Sequence, residues 1–335
     1  MSSLSIPAQA AESGPARPLN ILRDLPEVAD LIELCFSPTL DNDGQTYVQQ
    51  MRRASRDENF LRWASQTVES ASLPLTGFVW EQNGRIVGNA SIIPFRHQGA
   101  RTALIANVAT HPDFRRRGIA RALTERAMDQ ARKRGFRELW LHVRDDNAEA
   151  VRLYDCLGFV ARARRTTYQA RPDPLLTRTG EGIKVTVREP RFWPQQLEWL
   201  RRTYPDDLAW YARWNWRTLA PGIWNWLYLA FIDLNFRQWA AVKDGELLAA
   251  LTWMPSAGRA SDVLLAAARP GDGAAGLRSL LEAARRELDV RRSLVLEYPA
   301  GEALQAIEAS GFRILRTLIW MYAPGSNAPS GNATT

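Results

Sequence analysis

Cysteine is scarce in this chain. Only Cys35 and Cys156 occur among 335 residues, far apart, so no disulfide framework is expected. Cys156, inside a helical stretch, reads as a small buried thiol. Histidine is limited to His97, His111 and His142, with no zinc-ligand spacing. The reading is that no metal is bound. No apolar run reaches the roughly 20 residues that a membrane-spanning helix requires. Residues 1–17 are rich in Ala, Ser and Pro but lack the charged start and apolar middle of a signal peptide. They read as a disordered leader on a cytoplasmic chain. An RNP-like motif and a long lysine tail are also missing, so nucleic acid is not an expected partner, nor is a membrane.

The apolar fraction is 46%, enough for a packed core, and the length suggests two domains. Net charge is +7, with a sequence pI near 9.8. Such a balance can serve nucleic acid, a membrane surface or an acidic ligand. Part of the excess sits between Arg115 and Arg137.

That segment belongs to the stretch around which the chain is organised, Asn107 to Tyr154. A short apolar strand, Leu104 to Thr110, runs into Arg115-Arg116-Arg117-Gly118-Ile119-Ala120. Apolar residues four apart (Ile119, Leu123, Ala127, Ala131) predict a helix after the turn, ended by Gly135. A second strand covers Leu139 to Val143, and a second helix starts near Asn147. Strand, basic glycine turn and helix together make a phosphate holder. Backbone N–H groups at a helix start are unpaired and partly positive, glycine lets the backbone approach closely, and arginine adds charge.

Two motifs in this order resemble the GNAT superfamily of acetyl-CoA-dependent N-acetyltransferases. The first, Arg/Gln-x-x-Gly-x-Gly/Ala, is matched by Arg115, Gly118 and Ala120; the second by Asn147, Tyr154, Gly158 and Phe159. The resemblance is explicit over about residues 76–170. It implies an α/β (α+β) fold, with a mixed, mostly antiparallel sheet flanked by helices. The co-substrate would be acetyl-CoA and the acceptor a primary amine, either a protein N-terminus or a small molecule.

Around this stretch lie helix candidates at Asp24–Phe36 and Tyr47–Ser70, which in the family wall the acceptor site. Pro18–Leu22 is a strand candidate, and Gly77–Glu81 with Ile86–Pro94 forms a hairpin across Asn83-Gly84. Ala161–Ala170 is a final strand. The second half repeats the order. A hairpin turns at Lys243-Asp244-Gly245, a strand covers Ser261–Ala268 and a helical stripe runs from Leu277 to Leu288. Gly311-Phe312 stands where Gly158-Phe159 stands in the first half. The expectation is a tandem GNAT protein in two copies, a catalytic domain at 18–171 and a degenerate one at 183–323. A linker at 172–182 and a flexible tail at 324–335 complete the division. The second copy has Gly271 to Gly276 without arginine, and Ile307 at the place of Tyr154, so one active site is expected, in the first half.

The resemblance also implies roles. Pantetheine would pair with the backbone of Val108, Ala109 and Thr110, and the pyrophosphate would sit on Arg115, Arg116, Arg117, Gly118, Ile119 and Ala120. The Val108 N–H would face the developing oxyanion. Tyr154 would be the general acid, with a phenol pKa close to that of a thiol. Asn147 would contact the cofactor or cap its helix. The general base is open: His142 is one reading, and Asp41, Asp43 or Glu81 are others. His111 reads as a turn residue. Ten of thirteen tryptophans lie in the second half, with Trp210, Trp214, Trp216, Trp224 and Trp226 crowded around Pro221-Gly222. They read as core or interdomain surface, or else as an acceptor platform. The alternative function is a CoA-binding sensor or scaffold without turnover.

Overall fold

The computed structural model describes residues 15–37, 40, 42–57, 76–97, 100–176, 182–206, 208, 216–222, 236–256, 261–289 and 291–325. The first half runs β1 (Ala16–Pro18), α1 (Ile21–Phe36), α2 (Asn42–Ala54), β2 (Thr76–Gln82), β3 (Arg85–His97) and β4 (Ala100–Thr110). It continues with α3 (Ile119–Lys133), β5 (Glu138–Arg144), α4 (Ala148–Cys156) and β6 (Val160–Ala170). The second half repeats the series with β7 (Lys184–Val187), α5 (Trp193–Thr203), β8 (Arg237–Lys243), β9 (Glu246–Met254), β10 (Ser261–Ala268), α6 (Ala274–Glu287), β11 (Ser293–Pro299), α7 (Leu304–Ala309) and β12 (Arg313–Pro324).

Local sequence explains the repetition. Each half opens its meander with a two-residue hairpin whose residues both hold left-handed φ, Asn83 and Gly84 in one, Asp244 and Gly245 in the other. Asn, Asp and Gly tolerate that conformation, which matches the twist of paired strands. Asn20 caps α1 by accepting from the Leu22 N–H. Apolar residues at helical spacing then turn Leu25, Val28, Leu31 and Ile32 inward.

All twelve strands join one sheet, in the order β1-β2-β3-β4-β5-β12-β6-β11-β10-β9-β8-β7. Two self-contained domains would have kept β6 beside β5 and β12 beside β11. Instead β12 pairs with β5, β6 pairs with β11, and the two exchanged strands pair with each other at the centre. The exchange reaches the cores. Met321 and Ala323 of β12 pack with α3 and α4 of the first half. Tyr168 and Ala170 of β6 pack with α6 and Ile307 of the second. On the opposite face α1 and α2 cover Val79, Ile86 and Ala109, and α5 covers Leu247, Leu265 and Ala267. Between them Trp140 and Trp320 fill the middle of that face with Ile93 and Leu104.

Three sequence expectations shift in detail. Ala16 and Arg17, assigned to the leader, pair with Trp80 and Val79 in β1, and the strand expected at Pro18–Leu22 has become helix from Ile21. Cys156 is exposed rather than buried, because it lies at the outer end of α4. Arg126 donates to the Ala16 carbonyl at 2.8 Å and so ties α3 to β1. Among the described residues no helix is long and apolar enough to cross a membrane.

Candidate functional site

The site begins where β4 and β5 part. They pair in parallel only at Thr102–Glu138, Ala103–Leu139 and Leu104–Trp140. Beyond that, β4 continues to Thr110 and β5 to Arg144 without pairing to each other. The backbone on the facing edges of this gap can therefore bind a ligand.

The widening coincides with an irregularity in β4. Its register to β3 jumps from Asn89–Ala109 to Ser91–Ala106, so Asn107 and Val108 together oppose Ala90. Asn107 takes φ of 52°, which asparagine tolerates better than most residues. Its carbonyl accepts from Asn89 Nδ2 at 2.8 Å, and its own Nδ2 donates to the Tyr47 hydroxyl of α2 at 2.8 Å. None of these three was among the expected site residues. The signal was present: one asparagine in each of two largely apolar strands, Ile86–Ile93 and Ala103–Thr110.

Past Thr110 the chain makes the basic turn. His111 caps a short turn of 3-10 helix, its Nδ1 accepting from the Asp113 N–H, which fits its reading as a turn residue. Arg115, Arg116 and Arg117 are all exposed. Arg115 Nε donates to the Thr110 carbonyl, Arg117 lies 5.0 Å over the Phe114 ring, and Arg116 meets Glu149 at 3.3 Å. The last contact is solvent-exposed and worth little, so the side chain can move to an anion. Gly118 has φ of 77°, and a Cβ placed there would meet no protein atom within 4 Å. The first helical bond of α3 is Ala122 N–H to the Gly118 carbonyl. The N–H groups of Ile119, Ala120 and Arg121 therefore precede the ladder and have no intrahelical acceptor. The Thr110 hydroxyl is buried without a hydrogen-bond partner among the described residues, and a ligand could supply one. Donors, charge and open space at one helix start fit a pyrophosphate.

Tyr154 projects from α4 into the same core as Leu141 and Val143, edge-on to Phe159 at 6.1 Å. Burial pushes its phenol up to about 12, so it keeps its proton at neutral pH. His142 alternates to the opposite face, stacked 5.2 Å from Trp320. Burial, and then the charge of Arg316, lower it to about 4. Acid and base candidates thus flank, from its two faces, the stretch of β5 that pairs with β12 but not with β4. Asn147 caps α4, its Oδ1 accepting from the Ala150 N–H at 3.1 Å. Its Oδ1 is committed to the cap, and among the described residues no hydrogen bond engages its Nδ2.

The other base candidates fare differently. Glu81 lies on β2, two strands from β4, and its carboxylate is bound by Arg17 and Arg23, with Arg17 chiefly holding its pKa down. It is a structural ion pair away from the gap. Asp43 falls in the first turn of α2, and Asp41 lies outside the described residues. So does most of the tryptophan cluster. Trp216 is described, and packs 5.9 Å from Tyr204. Among the described residues no group of three or more His, Cys, Asp or Glu could hold a metal.

Residues 29–159, which contain this whole arrangement, match the pattern of the acetyltransferase (GNAT) family. A relative, the L-amino acid N-acyltransferase MnaT of Escherichia coli (strain K12), is 31% identical over 158 residues, 44% of this chain and 84% of its own. The chain belongs to the GNAT acetyltransferase family. The [ribosomal protein bS18]-alanine N-acetyltransferase of Escherichia coli (strain K12) is 44% identical over 71 residues, which is 21% of this chain and 48% of that relative. The chain thus spans about half the length of this relative. A solved GCN5-related N-acetyltransferase from Sphaerobacter thermophilus shares the fold, with a TM-score of 0.53 at 17% identity, over 93% of this chain and 97% of that one.

The second GNAT copy has the same gap, filled from within. β10 and β11 pair only from Ser261–Ser293 to Leu264–Leu296. Just beyond, the Tyr204 hydroxyl accepts from the Ala266 N–H at 3.2 Å and donates to the Glu297 carbonyl at 3.1 Å, bridging the two strands. Arg165 of the exchanged β6 lies 5.0 Å over its ring and pairs with Glu297 at 3.1 Å. At the start of α6, a Cβ on Gly273 would collide with the backbone of Arg269, whereas one on Gly271, earlier in the same turn, would meet nothing within 4 Å. Ile307, at the place of Tyr154, is fully buried.

Proposed function

We propose that this chain is an acetyl-CoA-dependent N-acetyltransferase with one active site, in the first half. The observation that carries the reading is the coincidence of the unpaired β4 edge, the open turn at Gly118 and Tyr154 around one gap. Pantetheine lies along Val108, Ala109 and Thr110. The pyrophosphate rests on the N–H groups from Arg116 to Ala120, with Arg115, Arg116 and Arg117 adding charge. The Nδ2 of Asn147 is available to the same ligand.

Bound side by side, amine and thioester react without a covalent enzyme step. The amine nitrogen attacks the carbonyl carbon, negative charge gathers on the carbonyl oxygen, and the Val108 N–H stabilises it. The carbon–sulfur bond breaks, and the sulfur takes its proton from Tyr154. His142, neutral at pH 7, accepts the nitrogen's proton once bond formation has made that nitrogen acidic. With a pKa near 4 it is too weak a base to deprotonate a free ammonium.

The acceptor class we favour is an α-amino group, because the two relatives are named for N-acylation of an alanine of a ribosomal protein and of an L-amino acid, and an α-amine is the amine these two acceptors share. The test is a screen of free L-amino acids and short peptides with acetyl-CoA and the purified chain, read by thiol release and product mass. Release of CoA with an acetylated α-amine is expected. Tight CoA binding with no acceptor turned over would favour a sensor or scaffold instead.

A further inference from the structure

We propose that Asn89 is a positioning residue for the acetyl transfer, acting through the Asn107–Val108 peptide. The inference rests on the acetyltransferase reading above. Among the described residues every peptide bond is trans. In a trans peptide the carbonyl and the N–H point in opposite directions across one plane. The Asn107 carbonyl is held toward β3 by Asn89 Nδ2 at 2.8 Å. The N–H of the same peptide belongs to Val108, so it points away from β3, into the gap beside β5. Fixing one end of the plane fixes the aim of the other.

The contact also changes strength. A donor on an amide oxygen polarises the amide, so its N–H becomes a better donor in turn. Asn89, the Asn107–Val108 peptide and the thioester oxygen then form one chain of hydrogen bonds. A side chain is needed because of the bulge. With Asn107 and Val108 both opposed to Ala90, regular ladder pairing is interrupted there, and Asn89 supplies the missing donor.

Two further observations separate this role from packing. Asn89 is fully buried, yet its Oδ1 has no hydrogen-bond partner among the described residues. An orphaned buried acceptor is destabilising, and an apolar residue of similar size would avoid it. The second copy serves as an internal control. Its β9–β10 register runs unbroken from Met254–Val263 to Ala249–Ala268, with alanines where the bulge and its clamp would be. There the N–H of Ala266 is already taken by Tyr204.

The experiment is isotope-edited infrared spectroscopy of acetyl-CoA, labelled with carbon-13 at the thioester carbonyl, bound to the full chain. The wild type is expected to move the carbonyl band to lower wavenumber. Asn89→Ala and Asn89→Leu should bind acetyl-CoA within about threefold of wild type, lose much of that displacement, and lower kcat by roughly 10-fold, less than direct removal of an oxyanion donor. Asn89→Leu fills the space and keeps the test available if the alanine variant does not fold. Asn107→Gly, which retains the backbone and the carbonyl contact but not the Tyr47 link, should keep the displacement. A full displacement in either folded Asn89 variant would overturn the proposal while leaving the acetyltransferase reading intact. Failure of the wild type to bind acetyl-CoA would remove that reading itself.

Discussion

The two halves share an order of elements, a hairpin turn and a gap between corresponding strands, yet among the described residues only the second gap is bridged by a side chain. In the first half β4 bulges at Asn107, the helix start at Gly118 is open and Tyr154 faces the core beside β5. In the second the strand is regular, the helix start is packed against Arg269, and Tyr204 bridges the strands. A gap in a sheet leaves backbone donors and acceptors that must find partners. One copy leaves them for a ligand and the other satisfies them with a tyrosine. On the proposed reading of one active site, loss of function in a duplicated fold needs no loss of fold; it needs an internal group that takes the ligand's hydrogen bonds.

A charge placed at each of the two helix starts should separate the halves most strongly. Gly118→Glu brings a carboxylate and a strained backbone to the proposed pyrophosphate site. It should weaken acetyl-CoA binding by roughly 100-fold or more, since like charges placed together cost several kcal/mol. Gly271→Glu, in the corresponding turn, should leave affinity unchanged by calorimetry. Equal losses would mean that both turns bind phosphate.

Next in size is the acid. Tyr154→Phe should lower kcat by about 100-fold, within the range of general-acid contributions, with acetyl-CoA affinity nearly constant. Ile307→Val at the matching place should leave kcat alone. A Tyr154→Phe enzyme at full rate would take the acid role away from this residue.

A third prediction concerns pH. The native pKa of His142, about 4, lies below its unfolded value of about 6.5. Between these the unfolded chain binds a proton that the native chain does not, so stability falls as the medium is acidified. The loss from this group at pH 5 should be about 2 kcal/mol. Urea unfolding at pH 7 and pH 5 should show it, and His142→Gln should remove most of the difference. An unchanged pH dependence in that variant would place the acid sensitivity elsewhere.

A loss of similar size is expected in the second half. Tyr204→Phe keeps the ring but leaves the Ala266 N–H and the Glu297 carbonyl without the hydroxyl. It should cost about 1–3 kcal/mol of stability and leave acetyl-CoA affinity unchanged, as measured by urea unfolding and calorimetry. Weaker acetyl-CoA binding in this variant would implicate the second gap.

Most elements of the fold were legible in the sequence, and so were the turn and Tyr154. They are written in local signals: Asn83-Gly84, helical spacing from Ile119 to Ala131, and Gly158-Phe159. The exchange of β6 and β12 was not legible, because both strands have the same alternation and nothing local records which neighbour each one chooses. The bulge partners were missed for a similar reason. Asn89 and Asn107 are 18 positions apart, and their meaning appears only when β3 and β4 lie side by side. Glu81 misled as a base candidate because a glutamate near the motif says nothing of the arginines that bind it. Tyr204 was likewise indistinguishable from any other core aromatic until its hydroxyl was found between two strands.

Among the described residues one gap is bridged and the other is not, and binding stoichiometry tests that difference directly. Calorimetric titration of the full chain with acetyl-CoA should give one site per chain. Two sites per chain would contradict the account of Tyr204 and Gly273, and no binding would contradict the account of the gap beside Val108.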